Sequence, residues 1–393
     1  MSTSVIVAGA RTPIGKLLGS LSTLTAPELG SIAVRAAIER SGIPTEAIEA
    51  AFLGNVVQAG VGPNPARLAA LAGGLAMGIP ATTINKLCLS GLTAIATADA
   101  FIRAGQHSIV LAGGFESMSS APYLARGARA GYRYGRAELE DSLDRDALIC
   151  GIDGVSMGLA SEKYQGPIGF TREQLDEFSA QSHDKAHRAR EAGRFDEEVV
   201  AVPVKTRAGL TEIVIDEGVR AGTTAETLAR LRPAFLPDGI ITAGSSSQLS
   251  DGGAAVVVMD KVEAERQGLP WLAEIVSYGS VAGPDASLLL QPARAIEKAL
   301  SKAPGLTVHD LDLIEINEAF AGVALGSIAQ LTVDPELVNV NGGAIALGHP
   351  VGMSGARLVL TLALELRRRG GGLGAAALCG GGGQGDAMII RVP

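Results

Sequence analysis

The sequence predicts an α/β fold of stacked layers. Three observations carry that prediction. Short apolar runs alternate with amphipathic helical runs, which is the pattern of helices packed on a mostly parallel sheet. The order of elements in the first third returns in the last third. Glycine is unusually common, at 51 of 393 residues, while aromatics make up only 4%, so many backbone segments must approach one another or a ligand too closely for a side chain.

Ser4–Ala10 (SVIVAGA) reads as a buried strand closed by Arg-Thr-Pro. Ala26–Ser41 reads as an amphipathic helix with Leu29, Ile32, Ala33, Ala36 and Ala37 on one side and Gly42 past its end. Ala50–Val57 is the next strand. A helix then runs from about Cys88 to Ala104, stopped by Gly105 and followed by a strand over His107–Ala112. In the last third, Pro292–Lys302 reads as helix and Leu311–Ile316 as strand. Ser354–Arg369 is a helix and Leu373–Leu378 a strand. AIERSGIPTEAIEAAFLGN (37–55) faces AIEKALSKAPGLTVHDLDLIEIN (295–317). SGLTAIATADAFIRAGQHSIVLAGG (90–114) faces SGARLVLTLALELRRRGGGLGAAALCGG (354–381). Each half gives helix and strand, then Ser-Gly opening a second helix, then a strand into a double glycine. This is a duplicated α/β unit.

The middle differs. Residues 126–147 are crowded with charge, including Arg126, Arg129, Arg133, Arg136 and Glu140, and read as an exposed excursion. Thr171–Ala192 is a helix with a Thr171/Gln174 capping box and Gly193 beyond it. Residues 199–250 read as irregular. Ser250–Asp260 returns to a buried strand that should rejoin the first half. The expected organisation is a first half over 1–118, completed by 250–268, a loop domain over 119–249, and a second half over 269–393.

Hydrophobic residues are 47% and charged residues 19%, and the net charge is −8 with both signs interspersed. Disorder and a nucleic-acid footprint are excluded. The first fifteen residues lack the pattern of a signal or transit peptide, and the last three are not a peroxisomal address. Leu68–Asn85 carries no charge, but its glycines and proline argue against a membrane helix. Three cysteines (Cys88, Cys150, Cys379) form neither a disulfide scaffold nor a metal-ligand pattern, and suit a reducing cytoplasm.

Cys88 lies in Asn85-Lys86-Leu87-Cys88-Leu89-Ser90-Gly91, at the N-terminus of an apolar helix. Exposed N–H groups and the positive helix end would lower a thiol pKa there. A lone cysteine in an apolar stretch is, taken alone, more often a small core residue. His349 sits in a run of glycine, proline and asparagine from Asn341 to Gly352 that no regular element can hold. An imidazole on such a loop is placed to receive a thiol proton, and a loop histidine bonded to backbone is the plainer reading. Cys379 ends a buried strand before Gly380-Gly381-Gly382-Gly383-Gln384-Gly385, where backbone N–H groups can face a ligand oxygen. A phosphate loop is disfavoured, because no Lys-Ser/Thr follows and Ala387–Val392 reads as a strand. The amide of Asn317 could orient a water or an oxyanion. Cys150 and the other four histidines read as structural.

Taken together, NKLCLSG at Cys88, NEAFA at Asn317, GGAIALGHPVGMSGAR at His349 and CGGGGQGD at Cys379 resemble the four active-site loops of the thiolases. The resemblance runs over nearly the whole chain and is nearest to the biosynthetic acetyl-CoA acetyltransferases. It implies a layered αβαβα core from two βαβαβ-type halves plus an inserted loop domain. It implies Cys88 as nucleophile, His349 as its proton acceptor and Cys379 as acid/base. One oxyanion hole would use the N–H groups of Cys88 and Gly381, the other His349 and a water held by Asn317. Arg220 would meet the phosphates of coenzyme A and Ser247 its pantetheine. Leu148, Met157, Phe235, Ala319 and Phe320 would line the tunnel. Acyl-CoA is the implied partner, with coenzyme A as substrate and product and no metal or redox cofactor. The 126–147 excursion resembles the loop that ties thiolase dimers into tetramers, so a homo-oligomer, dimer or tetramer, is expected. One departure stands out: Ser156 replaces the histidine of many biosynthetic thiolases, which bears on chain length.

Four other readings compete. A decarboxylating ketoacyl synthase would need a second histidine where this chain has Asn317. A broader degradative 3-ketoacyl-CoA thiolase would prefer longer chains. A papain-type hydrolase would leave Cys379 and the glycine loops unexplained. A non-catalytic acyl-CoA carrier would have no use for all four polar groups.

Overall fold

The computed structural model describes residues 3–207 and 209–393. Met1 and Ser2, part of the N-terminal segment read above for a leader, lie outside the described residues. Nine strands form one continuous sheet: β1 (Ser4–Arg11), β2 (Ala50–Gly54), β3 (Ala81–Ile84), β4 (Ile109–Ser117), β5 (Ser250–Asp260), β6 (Ala273–Ala282), β7 (Leu313–Ile316), β8 (Gly372–Gly380) and β9 (Gln384–Val392). Their order is β7-β8-β9-β6-β1-β5-β4-β2-β3, with the two-residue strand Gly15–Lys16 paired to β5.

The duplication is explicit in this order. In the first half β2 runs parallel to β4, β4 antiparallel to β5, and β5 antiparallel to β1. In the second half β7 runs parallel to β8, β8 antiparallel to β9, and β9 antiparallel to β6. The halves join where β1 meets β6, Val5 opposite Glu274 and Ile6 opposite Ala273. The expectation of a mostly parallel sheet is therefore corrected. Only the helix-linked strands are parallel, because a crossover helix returns the chain in the same direction. The Gly381–Gly383 hairpin turns β9 back on β8, and β5 enters from the long central segment.

Five helices matter for the site: α1 (Ala26–Ser41), α2 (Ser90–Arg103), α3 (Arg172–Glu191), α4 (Gln291–Leu300) and α5 (Ser354–Arg368). α2 and α5 pack on each other between the two half-sheets. Leu92, Ile95, Leu358 and Leu362 meet Val256, Val258, Met388 and Ile390 there. α1 covers the outer face of the first half through Ala33 and Ala37, against Val5, Leu111 and Val257. α4 covers the outer face of the second through Ala295, Ile296 and Ala299. The layers are thus helix, sheet, helix pair, sheet, helix. Small residues on the helices bring them close to the sheet. The buried stripe of α1 includes Leu29, Ala33 and Ala37 as expected and adds Ala26, Gly30, Val34 and Ile38, while Ile32 and Ala36 are only half-buried.

The central segment is more ordered than its sequence suggests. Val202–Thr206 and Gly209–Ile213 pair as a hairpin, with Val202 and Val204 buried. Pro203 hid this two-residue alternation. Residues 126–139 are exposed throughout, as expected, but the excursion closes on a Tyr123–Leu124/Glu140–Asp141 neck. Its end turns inward, burying Leu143 and Ala147. The capping box of α3 is present: Thr171 N donates to Gln174 Oε1 at 2.9 Å and Gln174 N to Thr171 Oγ1 at 3.3 Å.

Several glycines mark one place where backbones touch. The loop before α5 passes Gly54, Gly91 and Gly114, and a Cβ on any of these would press on the carbonyl oxygen of Gly352. Overpacking of this kind costs about 1–3 kcal/mol. Gly114→Ala should therefore lower the urea midpoint measurably and disturb the loop that carries His349; an unchanged urea curve would contradict the packing described.

Candidate active site

Cys88 lies in the turn between β3 and α2, two residues before the helix, and not in its first turn as the periodicity suggested. Leu87 has φ 53, a left-handed conformation that costs an ordinary side chain strain. Two side chains hold it there. Asn85 Oδ1 accepts from Leu87 N at 3.1 Å. Ser90 Oγ accepts from Lys86 N at 2.8 Å and donates to Leu87 O at 2.6 Å. The NKLCLSG motif is thus a self-bonded turn that presents one sulfur.

Cys379 comes from the other half, at the end of β8, and is fully buried. His349 sits on irregular backbone between a single helical turn (Ala344–Leu347) and α5. Its main chain is anchored: His349 N lies 3.1 Å from Gln248 O and 3.2 Å from Ser250 Oγ. Its Nδ1 is 2.6 Å from Ser354 Oγ, which itself donates to Pro350 O at 3.0 Å. Because that hydroxyl proton is committed to the carbonyl, Nδ1 is the donor and carries the imidazole hydrogen. Nε2 is left with its lone pair, 3.3 Å from Asn317 Nδ2. Asn317 Oδ1 is buried and meets no donor.

A cleft of about 280 Å³ opens beside these groups, lined among others by Leu148, Met157, Phe235, Ser247, Ala319, Phe320 and His349. It continues into a chamber of about 70 Å³ that Cys88, His349, Cys379, Gly381 and Leu288 border. Two sulfurs almost three hundred positions apart share that chamber with one imidazole. Phe235 and Phe320 meet edge-on in the wall, ring centres 6.1 Å apart. A Cβ on Gly381 would strike Met157 Cε and Leu87 Cδ1, so the chamber depends on that glycine.

Arg220 is not brought to the cleft. It is exposed, and its backbone N–H donates to His183 Nδ1 at 3.2 Å. Ser156 lines the outer cleft and caps the following helix, accepting from Leu159 N at 3.2 Å. The sequence reading missed Ser354; its signal was a hydroxyl residue opening the helix five positions after the histidine. Glu116 was missed as well, since nothing local marks it. Cys150 is buried away from the chamber, as expected of a structural residue. Among the described residues no group of three or more His, Cys, Asp or Glu side chains could hold a metal ion, and no helix is long and apolar enough to cross a membrane.

Burial decides the electrostatics. It pushes the Cys88 thiol up to about 11, against the pull of the N–H groups of Cys88 and Gly381 that face its sulfur. The expectation of a lowered pKa is corrected: two N–H donors do not offset the loss of water. Burial also pushes Cys379 up, with a further contribution from the charge of Cys88. His349 is lowered to about 3 by burial, with the cation of Arg357 adding to it. At neutral pH the chamber therefore holds two thiols and a neutral imidazole that burial makes a weak base.

The thiolase N-terminal domain model matches residues 4–262 and the thiolase C-terminal domain model residues 269–392. The chain belongs to the thiolase family. It is 55% identical to a probable acetyl-CoA acetyltransferase of Mycolicibacterium smegmatis over 98% of this chain and all of that one. It is 54% identical to a probable acetyl-CoA acetyltransferase of Mycobacterium tuberculosis over the full length of both. It is 47% identical to an acetyl-CoA acetyltransferase of Escherichia coli over all of this chain and 99% of that one.

Two outcomes follow from the geometry. Alkylation of Cys88 by iodoacetamide, followed by peptide mass spectrometry, should accelerate about tenfold per pH unit from 7 to 9, because thiolate grows with pH below a pKa near 11. A rate that levels off below pH 7 would contradict a neutral resting thiol. Ser354→Ala frees the imidazole to rotate and change tautomer; kcat should fall about tenfold to a hundredfold with little change in KM.

Proposed function

We propose that this protein is an acetyl-CoA C-acetyltransferase, joining two acetyl-CoA into acetoacetyl-CoA and coenzyme A, and running the reverse cleavage. The observation that carries this reading is the shared chamber: Cys88, Cys379 and His349 border one space small enough for an acetyl group and open to a longer apolar cleft. The full-length relatives named as acetyl-CoA acetyltransferases support it.

In the first half-reaction, His349 Nε2 takes the proton of Cys88, and the thiolate attacks the thioester carbonyl. The oxyanion is received by the N–H groups of Cys88 and Gly381, a pair worth a few kcal/mol. The coenzyme A thiolate leaves and recovers the proton. In the second, Cys379, having passed its own proton to His349, takes an α-proton from a second acetyl-CoA. The enolate carbon attacks the acetyl carbon on Cys88. The Cys88 sulfur departs and regains a proton from His349, so both thiols end as they began. The buried Oδ1 of Asn317 is the acceptor that would hold a water against the enolate oxygen, beside His349. Coenzyme A enters as substrate and product, and no metal or redox group is assigned to any step.

Ser247, Leu148, Met157, Phe235, Ala319 and Phe320 would contact the pantetheine arm. Arg220, outside the cleft lining, would meet the phosphates at the surface. The narrow inner chamber favours the acetyl reading over a degradative enzyme for long chains. A cytoplasmic homo-oligomer, dimer or tetramer, suits the three free cysteines and the exposed Tyr132, Tyr134 and Leu139 of the excursion.

Mixing the protein with acetyl-CoA should give a single acetyl adduct on Cys88 by intact-mass and peptide analysis; its absence would overturn the reading. Cys379→Ala should still take up the acetyl group while condensation falls about a thousandfold or more. A hydrolase would be indifferent to that substitution.

A further inference from the structure

The turn that carries Cys88 is tied to the opposite half by one charge pair. Lys86 Nζ lies 2.7 Å from Asp386 Oδ1 and 2.8 Å from Ser280 Oγ. Thr93 Oγ1, in the first turns of α2, donates to Asp386 Oδ2 at 2.7 Å. Asp386 is fully buried, whereas the lysine side chain is about a quarter exposed, at 23%. On β9, Asp386 stands directly opposite Leu378 of β8, and the next pair along is Gly385 opposite Cys379. The phenol of Tyr278 on β6 lies against the same carboxylate, and its pKa is raised by burial and by that charge. Neither Lys86 nor Asp386 borders the chamber or the cleft.

We infer that Lys86 and Asp386 are positioning residues that set the separation of the two sulfurs, and so govern the carbon–carbon step in particular. This rests on the roles proposed above for Cys88 and Cys379. Lys86 is two residues from Cys88 through a strained turn, and Asp386 is paired with the residue just before Cys379. The pair therefore bridges the two sulfur-bearing segments, two residues along the chain from Cys88 and one strand pairing away from the neighbour of Cys379. Acylation of Cys88 uses that turn, which its own Asn85 and Ser90 hydrogen bonds hold without the charge pair, together with His349 and the Gly381 N–H. Condensation also needs the α-carbon held at Cys379 to reach the acetyl carbon on Cys88. Displacement of a reacting atom by about 1 Å can cost a hundredfold in rate. Stability alone is a poor reason for this pair, because apolar side chains of similar volume usually serve as well as a buried ion pair.

The test compares Lys86→Met, Asp386→Asn and Lys86→Arg with the wild type in three measurements: acetyl-adduct formation on Cys88, steady-state condensation, and the thermal midpoint. The two charge-removing variants should acetylate Cys88 within about threefold of wild type and condense about thirtyfold more slowly. Lys86→Arg, which keeps the charge, should recover most of the loss. An equal fall in both half-reactions, or unchanged condensation with only a lower midpoint, overturns the inference. If a single variant does not fold, Lys86→Met with Asp386→Leu removes both charges. A purely stabilising pair would then regain condensation with the fold, whereas a positioning pair would regain the fold alone. Dibromobimane, which bridges two nearby thiols, gives a readout free of the catalytic reading: bridging of Cys88 to Cys379 should slow about tenfold relative to single alkylation in the charge-removing variants. Equal bridging would overturn the inference. A wild type that bridges but takes no acetyl group would overturn the proposed function while leaving the positioning claim to the bridging result.

Discussion

Everything at the cleft depends on how Glu116 holds one loop in a slot of glycines. Its carboxylate is fully buried near the end of β4. One oxygen accepts from Asn55 Nδ2 at 2.9 Å and Val57 N at 3.1 Å, the other from Val56 N and Gly352 N at 3.0 Å each. Burial pushes this group's pKa up, and the backbone N–H groups pull it back. Gly352 belongs to the second half and the other donors to the first. The clasp therefore draws the His349 loop across the duplication boundary, against Gly54, Gly91 and Gly114, where any side chain would collide.

That juxtaposition makes a site from two halves, each of which brings only part of the chemistry. The first half brings the sulfur on a strained turn and the second brings the imidazole and another sulfur. Duplication supplies two similar helices, α2 and α5, that pack on one another in their first turns, Gly91 against Ala356 and Gly355 against Leu92. Cys88 precedes one and His349 the other. The single pair of helix ends thus gathers loops that the linear sequence keeps far apart.

Burial sets the resting charge of the chamber. Water would stabilise thiolate and imidazolium alike; burial withdraws most of that solvation, so both resting forms are neutral. The N–H groups of Cys88 and Gly381 face the Cys88 sulfur and oppose the rise that burial imposes on its pKa without cancelling it. Ser354 contributes at one remove by deciding which imidazole nitrogen carries the proton.

Much of this was legible in the chain alone. The strands at Ser4 and Ser250, the bounds of α1, the capping box of α3 and the mirrored order of the two halves follow from local patterns of burial, caps and glycine, which act within a few residues. The four loops around Cys88, Asn317, His349 and Cys379 were legible because each is a short run of unusual residues. Tertiary structure alone decided the antiparallel members of the sheet, the Val202 hairpin, the place of Arg220 outside the cleft, and the upward shift of the Cys88 thiol. Those outcomes depend on which distant surfaces meet and how much water they expel. No local pattern encodes a distance between Glu116 and Gly352, or between Lys86 and Asp386, until the halves close on one another.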